Sequence, residues 1–299
     1  MRQTYPRWEL WIVDDGSTDD TSEAGAGLAA ADARIQRLRQ ANGGPGAARD
    51  TGRRAARGEF LQYLDSDDLL YPRKLELQVA ALNADPGAGI AYCRCVESDS
   101  EGRPSDLPLR PSDRLLASMF PTFLACRWWN TIVPLYRAEL CERAGAWLPL
   151  FQEEDWEYYA RNASLAPGLR FVDEPLAEHR DRSTNRLSRS GLPELRRLQD
   201  RAIAHERILD HAVRAGVGRE VPEMQRFARE LFLLGRQCGA VGLVQPSKAL
   251  FRLARAASTP ERAAGMDFRL YRAAAAIVGW RGVAVLASWM ERLRPRPRG

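Results

Sequence analysis

Carboxylates dominate the residues of this chain that could do chemistry. Asp14-Asp15 follows the apolar run Trp11-Ile12-Val13, and Asp65-Ser66-Asp67-Asp68 follows residues 60–64. Each cluster stands at the carboxyl end of an expected strand, the edge at which open α/β sheets bind ligands. Carboxylates repel phosphate, but a hard divalent cation reverses the sign. Asp-x-Asp spacing suits a cation that also holds a diphosphate. Turn and cap chemistry explains either cluster alone, because Asp favours both positions. Two clusters on one sheet favour a site.

Two further segments carry candidate groups. Asn42-Gly43-Gly44-Pro45-Gly46 opens a helix, so its backbone N–H groups could face phosphate. It matches neither the P-loop nor the dinucleotide Gly-x-Gly-x-x-Gly pattern. Arg49, inside that helix, could meet an anionic nucleotide or lie on a solvated face. Glu153-Glu154-Asp155-Trp156-Glu157 begins another helix. Acids there are stabilised by the helix dipole, so capping competes with a general base acting on an acceptor hydroxyl. Trp128-Trp129 could wall a sugar or fill the core. Five scattered Cys and three His, with no paired metal spacing, exclude a Cys/His metal site and a disulfide scaffold.

Strand and helix must alternate to position these groups. Residues 9–13, 34–39, 59–64 and 89–96 read as strands. Residues 18–31, 47–57 and 72–83 read as helices, and short loops join them. The first hundred residues thus predict a parallel sheet covered by helices. Residues 100–190 are mixed, with helices near 113–124, 137–144 and 153–163 and strands near 131–136 and 169–172. After Pro193 the pattern is helical over 194–215, 221–238, 246–257 and 268–293. The polar stretch 181–190 predicts a boundary, giving domains 1–190 and 191–299.

Charge is uneven along the 299 residues. Residues 241–299 hold 11 Lys+Arg against three Asp+Glu; residues 1–240 hold 33 against 36. A uniformly basic nucleic-acid binder would look different, so nucleic acid is excluded as a partner. A basic tail on an acidic body points to an anionic surface or a solvated end. Residues 273–290 are the most apolar window, but Arg281 interrupts it, and no transmembrane helix is read. Residues 268–293, with Arg269, Arg272, Arg281, Arg292 and Arg294 around apolar positions, could form an interfacial helix or pack on the catalytic domain. No signal peptide is read at residues 1–12. A cytoplasmic location is expected, peripheral on the inner membrane face if the tail binds lipid.

Taken together, these residues resemble family 2 glycosyltransferases. Tyr5 to Asp19, with Trp11-Ile12-Val13-Asp14-Asp15-Gly16-Ser17, is similar to the family's second-strand signature. Asn42 to Asp68, with Gly44, Arg49, Gly58-Glu59 and Leu64-Asp65-Ser66-Asp67-Asp68, resembles its next block, and Glu154-Asp155-Trp156-Glu157 its Glu-Asp motif. Order and separations agree over residues 1–185.

The resemblance implies an α/β fold: a Rossmann-like GT-A sheet that binds a nucleotide-sugar with Mn²⁺ or Mg²⁺, followed here by a helical C-terminal region. By position, Asp15, with Asp14 beside it, would contact the nucleotide base, and Arg49 would lie against the nucleotide. Asp65 and Asp67 would form the metal motif, with Asp67 nearest the cation. Asp155 would be the base of an inverting transfer, and Arg180 would meet phosphate. Arg182 falls where the family often has a His ligand, and His179 reads as a packed or surface imidazole.

The resemblance also implies an opening strand that this chain lacks. Met1 is therefore expected to be internal to a longer natural protein, or the chain to be a degraded member with an incomplete sheet. The expected activity is metal-dependent inverting transfer from a UDP-sugar to a glycan or lipid-linked acceptor hydroxyl, in cell-surface polysaccharide or glycolipid synthesis. The alternatives are an inactive nucleotide-binding or membrane-associated relative, and a nucleotidyltransferase.

Overall fold

A computed structural model describes residues 2–99, 101, 103, 104, 110–180 and 193–293, with backbone alone at 288 and 290–293. The stretch 181–190, Met1, Arg182 and Arg294 lie outside the described residues, as does the side chain of Arg292. Two compact units are present. One comprises residues 1–119 and 126–190; the other comprises residues 120–125 and 191–299. The second thus includes a short internal segment that the sequence reading assigned to the first.

Among its described residues the first unit holds seven strands, β1 (Leu10–Asp14), β2 (Ile35–Arg39), β3 (Phe60–Gln62), β4 (Leu69–Leu70), β5 (Ala88–Ser98), β6 (Leu135–Arg137) and β7 (Gly168–Arg180). Its helices are α1 (Thr21–Ala31), α2 (Gly44–Ala55), α3 (Lys74–Ala84), α5 (Ala138–Ala144) and α6 (Glu154–Ser164). Not one parallel sheet but two sheets are found: a parallel β1–β2 pair, and a mixed sheet ordered β3-β6-β5-β7-β4. No ladder joins them among the described residues. Val79, Leu82, Ala88, Ala91 and Leu135 form a core between α3 and the mixed sheet, with Tyr5 and Phe60 packed against it.

β7 runs through Pro175, where Asp173-Glu174-Pro175 reads locally as a turn. Pro175 stands opposite Arg94 at a register shift in the β5–β7 ladder. A bulge accommodates a residue that cannot donate, so the strand continues to Arg180. The short strand β4, invisible to periodicity, pairs antiparallel with that extension. Expected helix 113–124 shrinks to α4 (Thr122–Ala125), which belongs to the second unit.

Lys74 is fully buried beneath β3. It donates to Gln62 on β3, to Gln78, and to the Val133 carbonyl at 3.3 Å. Burial pushes its pKa down, to about 8. These bonds anchor the strand that leads into the acidic loop.

The second unit contains α4, α7 (Glu194–Arg214), α8 (Pro222–Ala240), α9 (Val244–Ala257), α10 (Pro260–Ala263) and α11 (Met266–Leu293). Phe232, Phe251, Phe268, Tyr271 and Trp280 build its aromatic core, with ring centroids 5.2–5.9 Å apart. A Cβ on Gly239 of α8 would stand 2.8 Å from the Ala284 Cβ of α11, so the missing side chain permits this close helix contact.

Candidate active site

The site grows from the start of α2. Its N-cap, Gly43, has no side chain to satisfy the first free amides. Asp15, at the end of β1, supplies that function from a distance. It accepts from Gly43 N at 2.9 Å, Gly44 N at 2.8 Å and Gln40 Nε2 at 2.7 Å. The residue expected at the nucleotide base therefore also fixes the Gly-rich loop. Asp14 accepts from Ser17 N at 2.8 Å and lies 3.5 Å from Arg39. The Ser17 backbone and side chain hold it below the usual carboxylate range. Gly46 must lack a side chain, because a Cβ there would stand 1.9 Å from the Leu148 carbonyl oxygen.

One turn further along α2, Arg49 forks between two carboxylates. Nη2 donates to Asp65 and Nη1 to Glu154, both at 2.7 Å. The guanidinium also lies 5.0 Å over the Trp147 ring. Burial pushes Glu154 up, to about 7, against the pull of Arg49. This fork joins the acidic loop after β3 to the first turn of α6.

Asp67 has no hydrogen bond or ion pair to another side chain among the described residues. Burial raises its pKa, and so do Asp68 and Asp65. Asp68 turns elsewhere: it accepts from His179 Nδ1 at 2.9 Å and from the Arg180 amide at 3.0 Å. The Arg180 side chain donates to Glu178 at 2.9 Å. His179, expected as packed or surface, thus pins the end of β7 to the acidic loop.

Asp155 lies in the first turn of α6 and contacts Arg127. The preceding Glu153 has left-handed backbone, φ 61°, uncommon for a residue with a side chain. That turn sets how α6 presents its first acids.

Three contributors escape sequence reasoning. Glu97, at the end of β5, is buried, and burial raises its pKa. It accepts from Asn130 Nδ2 at 2.8 Å and lies 4.0 Å from His179 Nε2. Arg110 donates to Asn130 at 3.4 Å and to the Arg127 carbonyl at 3.1 Å. Arg127 itself completes the group. Only the position of Glu97 at a strand end could have marked it. Of the tandem tryptophans, Trp129 is core, packed against Tyr92 and Tyr159. The Trp128 ring nitrogen is buried and finds no hydrogen-bond partner among the described residues.

No group of three His, Cys, Asp or Glu residues able to hold a metal occurs among the described residues. The donor set still fits one kind of cation. Mg²⁺-like ions are bound through one or two carboxylates with substrate phosphates and water completing the shell, not by an all-protein cage. The unpaired, carboxylate-crowded Asp67 matches that mode. Asp65 shares its charge with Arg49.

Acids at strand ends stand beside a Gly-rich helix start in an α/β protein. Residues 1–137, just under half of the chain, match glycosyl transferase family 2. An uncharacterized glycosyltransferase of Rickettsia conorii is 47% identical over 77 residues, 26% of this chain and 13% of that protein. The Escherichia coli UDP-Glc:α-D-GlcNAc-diphosphoundecaprenol β-1,3-glucosyltransferase WfgD is 40% identical over 84 residues, 27% of this chain and 32% of that protein. The match therefore spans less than a third of each relative. The structure of S. aureus TarS residues 1–349 with UDP-GlcNAc superimposes with a TM-score of 0.68 at 16% identity, covering 99% of this chain and 86% of that one. This likeness establishes the GT-A fold.

Proposed function

We propose that this chain transfers a sugar from a UDP-sugar to an acceptor hydroxyl, with inversion at the anomeric carbon. The observation that carries the reading is the Asp65–Arg49–Glu154 junction. A single side chain links the acidic loop to the helix bearing Asp155, with both contacts at 2.7 Å. Diphosphate chemistry and base chemistry thereby share one rigid frame.

In the proposed step, the Asp155 carboxylate takes the proton of the acceptor hydroxyl. The acceptor oxygen bonds to the anomeric carbon as the carbon–oxygen bond to phosphate breaks, and UDP leaves with that electron pair. Asp67, with Asp65 and the donor phosphates, would hold Mn²⁺ or Mg²⁺, which neutralises the leaving diphosphate. Asp14, Asp15 and the loop at residues 42–46 would border the nucleotide, and Arg180 would lie near phosphate. The family match and the donor and acceptor in the WfgD name support a glycan or lipid-linked acceptor in cell-surface polysaccharide or glycolipid synthesis. The proposed location is cytoplasmic, on the inner face of the membrane.

Incubation with UDP-sugars and Mn²⁺ across a panel of lipid-linked and free glycan acceptors tests the reading. Release of UDP and an inverted anomeric configuration by NMR are expected. Pyrophosphate as product would make the protein a nucleotidyltransferase. Metal-dependent nucleotide binding with no turnover on any acceptor would make it an inactive relative.

A further inference from the structure

The helical unit contains a cleft of about 610 Å³ formed by α9 and α11. Lys248, Arg252 and Arg255 enter it from α9, and Arg272 enters from α11. The three α9 positions follow i, i+4, i+7, which places them along one helix face. The aromatic surface comes from Phe251 and Trp280, whose rings meet edge to face at 5.2 Å. No carboxylate lines the cleft. None of the four cations is ion-paired with a carboxylate among the described residues; Arg255 Nε donates only to the Ala263 carbonyl, at 3.2 Å. Four mutually repelling charges gathered on an apolar wall are stabilised by an anion.

The adjoining surface is apolar. One face of α11 is buried through Phe268, Tyr271, Ala275, Val283 and Ala284. The other presents Ile277 at 85% exposure and Trp289 at 64%, with Leu270, Val278, Val285 and Leu286 between and around them. Soluble surfaces rarely leave so many large apolar side chains together in water. Residues 260–287 are long and apolar enough to cross a bilayer by length and composition. Two features oppose a crossing. Gly279, at φ 75° and ψ 165°, interrupts the helix, and broken backbone is not tolerated against lipid chains. The buried face of α11 is also committed to its own unit. A helix with one protein face, one apolar outer face and flanking cations lies in a membrane interface instead.

We infer that α9 and α11 form a docking surface for an anionic phospholipid membrane, with a headgroup phosphate seated among Lys248, Arg252, Arg255 and Arg272 and the outer side chains of α11 entering the acyl layer. Trp280 lines the cleft and follows the exposed pair Ile277-Val278, so headgroup and acyl contacts are continuous. An aromatic ring with a polar nitrogen suits that boundary. This inference does not depend on the catalytic reading.

Flotation of the full chain with vesicles is the test. One set contains phosphatidylcholine alone; the other contains equal parts phosphatidylcholine and phosphatidylglycerol. Wild-type protein is expected to float with the anionic vesicles at low salt and to be released by high salt. Each cation near such a surface strengthens partitioning roughly fivefold, so K248Q/R252Q/R255Q should weaken it roughly a hundredfold. A charge-matched control, R7Q/R57Q/R219Q, should weaken it far less. Ile277→Ser with Leu286→Ser should release the protein without changing its melting temperature in solution. Equal flotation on neutral vesicles, or equal loss in the cleft and control variants, overturns the inference. Glycerol phosphate added to vesicle-free protein separates lipid from soluble phosphate. Thermal stabilisation that is lost in K248Q/R252Q/R255Q, with no vesicle binding by wild type, also overturns it and makes the cleft a soluble-phosphate site.

Discussion

Arg127 donates to both carboxylate oxygens of Asp155, at 3.2 and 3.4 Å, across 28 residues of sequence. The same guanidinium lies 3.8 Å from Glu153. Asp155 is the main influence holding Arg127 above its ordinary pKa, so the cation is permanent. One nitrogen, Nη1, is shared between the two oxygens and holds the carboxylate by a charge-assisted contact. The Trp156 amide adds a second donor, at 2.8 Å. Arg127 is therefore a positioning residue for the proposed base.

Arg127→Ala should lower kcat roughly tenfold to a hundredfold, the scale of a misplaced reacting group. Arg127→Lys should recover part of the loss, since it keeps the charge but not the planar guanidinium. Steady-state kinetics with the donor varied at saturating acceptor would check this. A rise in donor KM with kcat intact would make Arg127 a donor-binding residue.

Asp155→Asn should retain donor affinity and lose transfer by ~10²–10⁴-fold, because the amide accepts no proton. Donor affinity by calorimetry and single-turnover transfer are the paired measurements. Collapse of affinity with turnover intact at saturation would reassign the residue to binding.

Asp67→Ala should remove the metal-dependent part of UDP binding while the fold survives, since Asp67 supports no other side chain among the described residues. Saturation at 100 times Kd stabilises a protein by about 2.7 kcal/mol. Wild-type melting with UDP should rise on adding Mn²⁺, and the Asp67→Ala curve should not respond. A full Mn²⁺ response in the variant would exclude Asp67 as a ligand.

Glu154 carries a pH signature. Its pKa is raised by burial from 4.5 to about 7. The folded state therefore keeps this proton where the unfolded chain releases it. Its contribution is fully present below 4.5 and is lost as pH rises through about 7. Glu154→Gln, which cannot titrate, should flatten the fall in stability across that window by on the order of 1–3 kcal/mol. Urea unfolding at several pH values measures the slope. An unchanged slope in the variant would assign the titration to another group.

The acidic clusters, the Gly-rich helix start and most strand and helix positions were legible in the sequence. Apolar periodicity and turn residues such as Asp14-Asp15-Gly16 act within a few neighbours, so the chain displays them locally. The order of motifs then pointed to the family. Partners of charged side chains were not legible. Arg49 meets Glu154 across 105 residues and Asp68 meets His179 across 111. An arginine on a helix face looks the same in sequence whether it faces water or two carboxylates.

Topology made those choices. Asp15 became a cap for α2 because parallel β1–β2 pairing delivers both chain ends to one edge. Asp68 turned from the acidic loop to β7 because the bulge opposite Pro175 lets that strand run on to His179. Glu97 gained a neighbouring His179 because β5 lies beside β7 in the sheet, with the two residues opposite each other. The sequence by itself determined which residues carry charge and which segments are strands or helices, because those follow from composition and local periodicity. Which charges neutralise one another was decided only by the tertiary structure, because an ion pair depends on a distance of a few ångströms that spacing along the chain does not encode.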